Sequence, residues 1–184
     1  LMQLPLPGPI DTSVPITAEI WISYVHRTLH PVTLGTIATC LDRIDRYGVH
    51  GATAVDLRCS VLAHSAYTGI LAKALGADLG IVPEQVPVFS LYAALHDVGE
   101  ILGGDVVAML PHSMVAPFRL AQHEMRGRLQ TALGLPDVPG WFLSPLQFLD
   151  GLAAYGEMRA MGEPYRDLSA YVESDRRKVV YCTR

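Results

Sequence analysis

Apolar residues recur at intervals of three and four positions through most of this chain, and this spacing limits what it can fold into. In residues 32–47 these positions are Leu34, Ile37, Ala38, Leu41 and Ile44. The interval matches the turn of an α-helix, so the apolar side chains would share one helical face. The same pattern predicts further helices in residues 55–75, 83–102, 113–133, 143–161 and 168–180. The prediction is therefore an all-α helical bundle, in which only residues 20–25 suggest a short strand or an extended arm.

The length and composition of the chain suit one globular domain. It has 184 residues, of which 50% are apolar and 17% charged, and its formal net charge is -4. That much apolar material can fill a sizeable core, and the negative balance excludes the basic surface of a general nucleic-acid-binding protein. We interpret residues 1–184 as a single domain, with residues 1–19 as a proline-containing N-terminal arm.

Several features of the sequence predict a cytoplasmic protein. No run of apolar residues is long enough for a transmembrane helix, and residues 1–15 lack the basic and apolar regions of a signal peptide. The three cysteines, Cys40, Cys59 and Cys182, are odd in number and widely spaced. They fit neither a disulfide framework nor a zinc motif, and we expect reduced thiols.

Four ionisable residues stand inside otherwise apolar predicted helices. They are His64, the adjacent pair His96 and Asp97, and Asp150. Taken singly, a histidine in a core helix is usually hydrogen-bonded and a lone aspartate is usually a helix cap. Because burying a charged group is costly unless it is paired or bound to a metal, the set of four together favours one shared cation.

The residue types indicate which cation this would be. Two imidazoles and two carboxylates suit a transition metal such as Mn, Fe, Co or Zn better than Ca or Mg. With neutral histidines and ionised aspartates, the ligands would carry about the charge needed to balance a divalent ion. We therefore predict a metal site between helices, in which His64, His96, Asp97 and Asp150 bind one divalent transition metal ion.

Further carboxylates follow in the same segments. Glu100 is four residues after His96 and would share its helical face, while Asp105 follows Gly103 and Gly104, where the helix should break. Such carboxylates can position an attacking water or assist a leaving oxygen, although Asp105 suits the N-cap of a following turn equally well. For Glu157, two turns after Asp150, we favour a surface or structural role over one behind the metal ligands.

These residues resemble the metal-binding signature of the HD-domain phosphohydrolase superfamily. Residues 94–105, ALHDVGEILGGD, are similar to the HD-x-x-E-x-x-x-x-D block of bacterial 5'-deoxynucleotidases and phage dATP triphosphohydrolases. SVLAHS at 60–65, LDGLAAY at 149–155 and RYGVHG at 46–51 resemble the flanking elements of that group. The resemblance covers about residues 32–160 and implies a compact HD-domain helical bundle.

The resemblance also implies roles for the candidate residues. Glu100 and Asp105 would be catalytic, and a pocket for the nucleotide would be formed by Arg46, Tyr47, Val49 and His50. Arg46 suits a helix C-terminal position equally well. The chain departs from the family pattern after Asp105, where a lysine that can reach phosphate is missing. His112, Arg119 and Arg126 are the candidates to replace that lysine.

The expected function is metal-dependent hydrolysis of (deoxy)nucleotides, most simply a 5'-nucleotidase activity on (d)NMPs. One alternative is a dNTP triphosphohydrolase that releases nucleoside and triphosphate, and another is a non-catalytic nucleotide-binding HD module. The expected partner is the nucleotide substrate, with no stable nucleic acid and no membrane. The sequence leaves the oligomeric state open, and a homodimer would use apolar surface at Trp21, Trp141 and Phe142.

Overall fold

A computed structural model describes residues 17–46, 59–104 and 112–160 of the chain. Six α-helices account for most of these residues: α1 (Ala18–Thr28), α2 (Leu34–Leu41), α3 (Val61–Leu75), α4 (Val86–Ala94), α5 (His112–Ala132) and α6 (Leu143–Ala160). Three short 3-10 helices, Pro83–Gln85, Val98–Leu102 and Gly140–Phe142, connect them. The described residues form no strand beyond an isolated bridge between Asp45 and Ser60. The all-α prediction is confirmed for this part of the chain.

The suggestion of a strand or arm at residues 20–25 is wrong, because these residues belong to α1. Ile22, Val25 and Leu29 are buried in the core, and their spacing of three and four positions places them on one helical face. That face belongs to a helix packed against α5. The short apolar run is therefore the buried face of a helix. Over so few residues, the sequence pattern alone does not distinguish such a helix from a strand.

Three of the predicted helices are shorter than their apolar patterns, and the one expected over residues 55–75 begins only at Val61, after Ser60 as its N-cap. The helix expected over residues 32–47 ends at Leu41. Its start is fixed by a capping box, in which the side-chain oxygens of Thr33 and Thr36 each accept a hydrogen bond from the other residue's backbone N–H. The helix expected over residues 83–102 stops at Ala94, and a turn leads into the 3-10 helix Val98–Leu102. This break matters for the candidate site, because His96 and Asp97 lie in the turn. The helix predicted for residues 168–180 lies outside the described residues.

Helix α3 is central, since it packs against both α4 and α6. Close packing with α4 depends on Gly69, where a Cβ atom would come within 2.8 Å of the Cβ atom of Ala94. The apolar residues form two buried clusters, one around α1, α2 and α5 and the other where α3, α4 and α6 meet. His64 lies in the first turn of α3, where the helices from both clusters approach.

Within the described ranges, no helix combines the length and the apolar character needed to cross a membrane.

Candidate metal centre

The four residues singled out in the sequence come together in the structure. His64, His96, Asp97 and Asp150 each offer one ligand atom, and these atoms all lie within 4.8 Å of one another. They come from three separate elements, namely the start of α3, the turn after α4 and the middle of α6. The group could hold a metal ion, as predicted, and is compatible with an HD-type site.

The ring of His96 is oriented by its own helix end. Its Nδ1 lies 2.8 Å from the carbonyl oxygen of Ala93, so Nδ1–H donates to that oxygen. The other nitrogen, Nε2, is buried and makes no hydrogen bond, yet it lies 3.0 Å from Oδ2 of Asp97 and 3.4 Å from Oδ1 of Asp150. A lone pair facing two carboxylate oxygens needs a cation or a proton between them, so this arrangement fits a metal ligand.

The ring of His64 is fully buried, and carboxylates approach both of its nitrogens. Its Nε2 lies 2.9 Å from Oδ1 of Asp150 and 3.6 Å from Oδ2 of Asp97. Its Nδ1 lies 2.8 Å from Oε1 of Glu157. Glu157 thus lies directly behind a candidate ligand and is only 11% exposed, so of the favoured surface or structural role the surface part is wrong. The available signal was its position seven residues after Asp150, which puts both residues on one face of α6.

The mutual attraction of these groups controls their protonation. Burial alone lowers the pKa of His64, but hydrogen bonds with Asp150 and Glu157 outweigh it and raise that pKa. The pKa of His96 is raised well above its ordinary value in the same way, because Asp97 and Asp150 outweigh burial. Burial raises the pKa values of Asp97 and Asp150, but the two imidazoles lower both below the usual range.

Arg46 lies against the carboxylates of this centre. Its Nη1 is 3.3 Å from Oδ2 of Asp97 and its Nε is 3.6 Å from Oε2 of Glu157, and the side chain is only 10% exposed. The backbone N–H of Arg46 donates to the carbonyl oxygen of Cys59 at 2.8 Å, which fixes the chain beside the start of α3. The helix C-terminal alternative does not describe this position, because α2 ends at Leu41. The phosphate contact expected of Arg46 stays a prediction.

Charge counting supports a divalent ion. Asp97, Asp150 and Glu157 contribute three negative charges and Arg46 one positive charge when both histidines are neutral. The sum is two negative charges, which a divalent cation would balance.

A cavity of about 240 Å³ lies beside the His96–Asp97 turn. It is lined by His96, Asp97, Gly99, Glu100, Arg119, Gln122, His123 and Arg126. Glu100 faces this cavity from the 3-10 helix Val98–Leu102 and not from a continuation of α4, so the reasoning from a shared α-helical face was wrong. Glu100 does line the same cavity as His96, and its nearness to the metal stays a prediction.

The cavity wall opposite the His96–Asp97 turn is formed by α5 and carries basic groups. Arg126 donates through Nη1 to the carbonyl oxygen of His96 at 3.3 Å and through Nη2 to Nδ1 of His123 at 2.7 Å. Arg119 is exposed and lines the same cavity. Two of the three candidates to replace the missing lysine therefore lie beside the site.

The roles predicted for the remaining site residues stay predictions. Tyr47, Val49, His50 and Asp105 lie outside the described residues. Of the aromatic residues expected at the surface, Trp141 is 49% exposed, whereas Phe142 is buried in contact with Phe89 and Tyr92. Phe142 is therefore a core residue in this protein.

Comparison of the chain with protein-family models, with curated proteins and with solved structures finds no match.

Proposed function

We propose that this protein is a metal-dependent phosphohydrolase that acts on (deoxy)nucleotides, with 5'-nucleotidase activity on (d)NMPs as its principal reaction. The observation that carries the proposal is the convergence of His64, His96, Asp97 and Asp150 to within 4.8 Å beside an open cavity. Such a cluster, next to a cavity with a further carboxylate and several basic groups, could supply the positioning and charge stabilisation on which phosphoryl transfer depends.

His64, His96, Asp97 and Asp150 would hold the metal. The unbonded, buried Nε2 of His96 and its short distances to two carboxylate oxygens favour a cation at this position. Histidine nitrogen and carboxylate oxygen together favour Co, Mn, Zn or Fe. When bound, such an ion supplies Lewis acidity that polarises a phosphoryl oxygen and makes water a better nucleophile at neutral pH.

Glu100 is the residue proposed to orient the attacking water and accept its proton. It lines the same cavity as the candidate ligands His96 and Asp97, from the 3-10 helix that follows their turn. Asp105 would assist the leaving oxygen, as the resemblance to the HD-domain superfamily implies. Arg46 is proposed to hold the Asp97 carboxylate in place as well as to contact phosphate.

The basic groups of α5 would bind the phosphate. Arg126 is held by His96 and His123, so its guanidinium is already fixed and loses little freedom when it binds an anion. Arg119 lies seven residues before Arg126 on the same helix, so about 10 Å of helix axis separates the two.

This separation is the observation that favours a second candidate function. A row of basic groups about 10 Å long could follow an extended polyphosphate chain, which is the requirement of a dNTP triphosphohydrolase. Both functions would use the same metal centre and the same Glu100. They differ in whether the bond to the nucleoside is broken in a monophosphate or in a triphosphate.

The test is an assay of a substrate panel with product analysis. The purified protein would be stripped with a chelator, reloaded with Co²⁺, Mn²⁺, Zn²⁺ or Mg²⁺, and incubated with dNMPs and dNTPs. Release of inorganic phosphate and nucleoside from dNMPs is the expected result. Release of nucleoside and tripolyphosphate from dNTPs would instead establish the triphosphohydrolase. Nucleotide binding without metal-stimulated hydrolysis would establish a non-catalytic module and overturn the proposal.

A further inference from the structure

We propose that Glu157 is a positioning residue that holds the His64 ring in the tautomer with its proton on Nδ1, so that Nε2 is directed to the metal. This inference rests on the proposed metal centre. Helix α6 would then have two roles in the site. It would supply the ligand Asp150 and also the carboxylate of Glu157, which supports the ligand His64.

The hydrogen bond between the two residues favours the tautomer that a metal at Nε2 requires. Nδ1 of His64 lies 2.8 Å from Oε1 of Glu157. An ionised carboxylate can only accept a hydrogen bond, so while no cation is bound each nitrogen of His64 can donate a proton to the carboxylate beside it, Nδ1 to Glu157 and Nε2 to Asp150. A cation between Nε2 and the oxygens that face it, Oδ1 of Asp150 at 2.9 Å and Oδ2 of Asp97 at 3.6 Å, would displace the Nε2 proton and leave the proton on Nδ1, from which Glu157 accepts it. The ring would then present a lone pair to the centre of the cluster.

Glu157 is itself held in place. Its side chain is 11% exposed, and its second oxygen, Oε2, lies 3.6 Å from Nε of Arg46. The same guanidinium reaches Oδ2 of Asp97 at 3.3 Å through Nη1. Arg46 thus joins the carboxylate behind His64 to a carboxylate ligand, and its positive charge offsets the buried negative charge of Glu157. The pair adds a rigid support to the site without changing its net charge.

The two histidines of the centre are supported differently. A backbone carbonyl, that of Ala93, accepts from Nδ1 of His96, whereas an ionised side chain accepts from Nδ1 of His64. A carboxylate in this position makes the imidazole a stronger electron donor than a carbonyl does, and such groups contribute about 10–100-fold to metal affinity. His64 would therefore be the more strongly donating of the two ligands.

The experiment measures metal affinity directly and does not depend on turnover. Zn²⁺ or Co²⁺ would be titrated into the chelator-stripped full chain in competition with a chelator of known affinity. Glu157→Ala should weaken binding about 10–100-fold. Glu157→Gln should weaken it less, because the amide oxygen still accepts from Nδ1. The control is Glu84→Gln, which removes the same charge from an exposed position in the 3-10 helix Pro83–Gln85 and should leave affinity unchanged.

A second readout separates positioning from a merely structural role. In the Zn²⁺-loaded protein, ¹⁵N NMR of the histidine side chains should show His64 bound through Nε2 with a protonated Nδ1 in the wild type, and in Glu157→Ala a share of His64 rings that bind through Nδ1 or do not bind. Thermal unfolding of each stripped variant would verify that it folds. If Glu157→Ala does not fold, the metal affinity of Glu157→Gln and the His64 tautomer of the wild type test the role of Glu157 instead.

The outcomes are distinguishable from failure of the proposed function. A wild type that binds neither ion would overturn the metal centre and, with it, this inference. A wild type that binds tightly while Glu157→Ala binds equally tightly would overturn the role of Glu157 alone. A His64 signal protonated on Nε2 in the loaded protein would do the same.

Discussion

Gly99 lies so close to Gln122 that no side chain fits between the two backbones: a Cβ atom at position 99 would come within 2.1 Å of the carbonyl oxygen of Gln122. This approach sets the 3-10 helix Val98–Leu102 directly against α5. It is also what makes Glu100 and Arg126 line the same cavity. Glycine is required here by contact between chain segments and not by a special backbone conformation.

Gly99→Ala is expected to destabilise the protein, because the atom that the new methyl group meets is backbone and cannot turn aside. Overpacking of this kind costs about 1–3 kcal/mol, which urea unfolding would measure. Gly127→Ala is the matched control, since Gly127 lies in α5 with nothing near its Cβ position. That control should gain about 0.5–1 kcal/mol. Equal unfolding midpoints for Gly99→Ala and wild type would contradict the packing argument.

Asp97→Ala should abolish metal-stimulated hydrolysis while the fold is kept. Asp97 contacts His64, His96 and Arg46, and loss of a ligand should exceed the 10–100-fold effect typical of groups behind ligands, so a decrease of at least about 100-fold in turnover is expected. Circular dichroism would verify folding. Asp137→Ala, in the exposed loop before α6, is the control that should retain wild-type turnover. Undiminished turnover in Asp97→Ala would refute the metal assignment.

The four candidate ligands could be predicted because they are ionisable residues in helices that are otherwise apolar. His64 and Asp150 each stand as the sole ionisable residue in a long apolar stretch, and burial of such groups needs a partner. The sequence therefore indicated which residues would meet, without indicating how. The helical class followed from the same apolar periodicity.

The support behind the ligands could not be predicted, because it depends on how elements pack. Glu157 is seven residues after Asp150, but only the packing of α6 on α3 brings it to Nδ1 of His64. The turn at His96 was also hidden, since the apolar pattern continues through it into residues 98–102. A periodic pattern reports which residues are buried and not where the backbone changes from an α-helix to a tighter helix.

Metal removal should have an effect on stability that depends on pH. In the stripped protein, the pKa values of His64 and His96 are raised above the ordinary 6.5. Their protonated forms therefore stabilise the fold fully below pH 6.5, and this contribution is lost as pH rises through the raised values. Thermal unfolding of the stripped protein should accordingly move to lower temperature as pH is increased above 6.5.

Metal binding should show the opposite dependence, because the ion competes with these protons for the histidine nitrogens. The increase in unfolding temperature on adding Zn²⁺ should grow as pH rises above 6.5, the ordinary histidine value. Asp97 and Asp150, whose pKa values are lowered, stay ionised over this range and contribute little to the change. A Zn²⁺ effect that is constant with pH would contradict protonation of the histidines in the stripped protein.

Arg119→Ala should weaken substrate binding without affecting the fold. The side chain is exposed and lines the cavity beside the candidate centre, so its removal should change stability by less than about 0.5 kcal/mol. A charge-assisted contact to phosphate contributes about 1.5–3 kcal/mol, so KM should rise by roughly tenfold or more. The control is Arg27→Ala, which removes an exposed arginine of α1 outside this cavity. Because Arg119 lies about 10 Å along α5 from Arg126, its loss should raise KM more for dNTPs than for dNMPs. An equal rise in KM for dNMPs and dNTPs would show that Arg119 contacts only the first phosphate. An unchanged KM for both substrates would show that Arg119 does not contact the substrate.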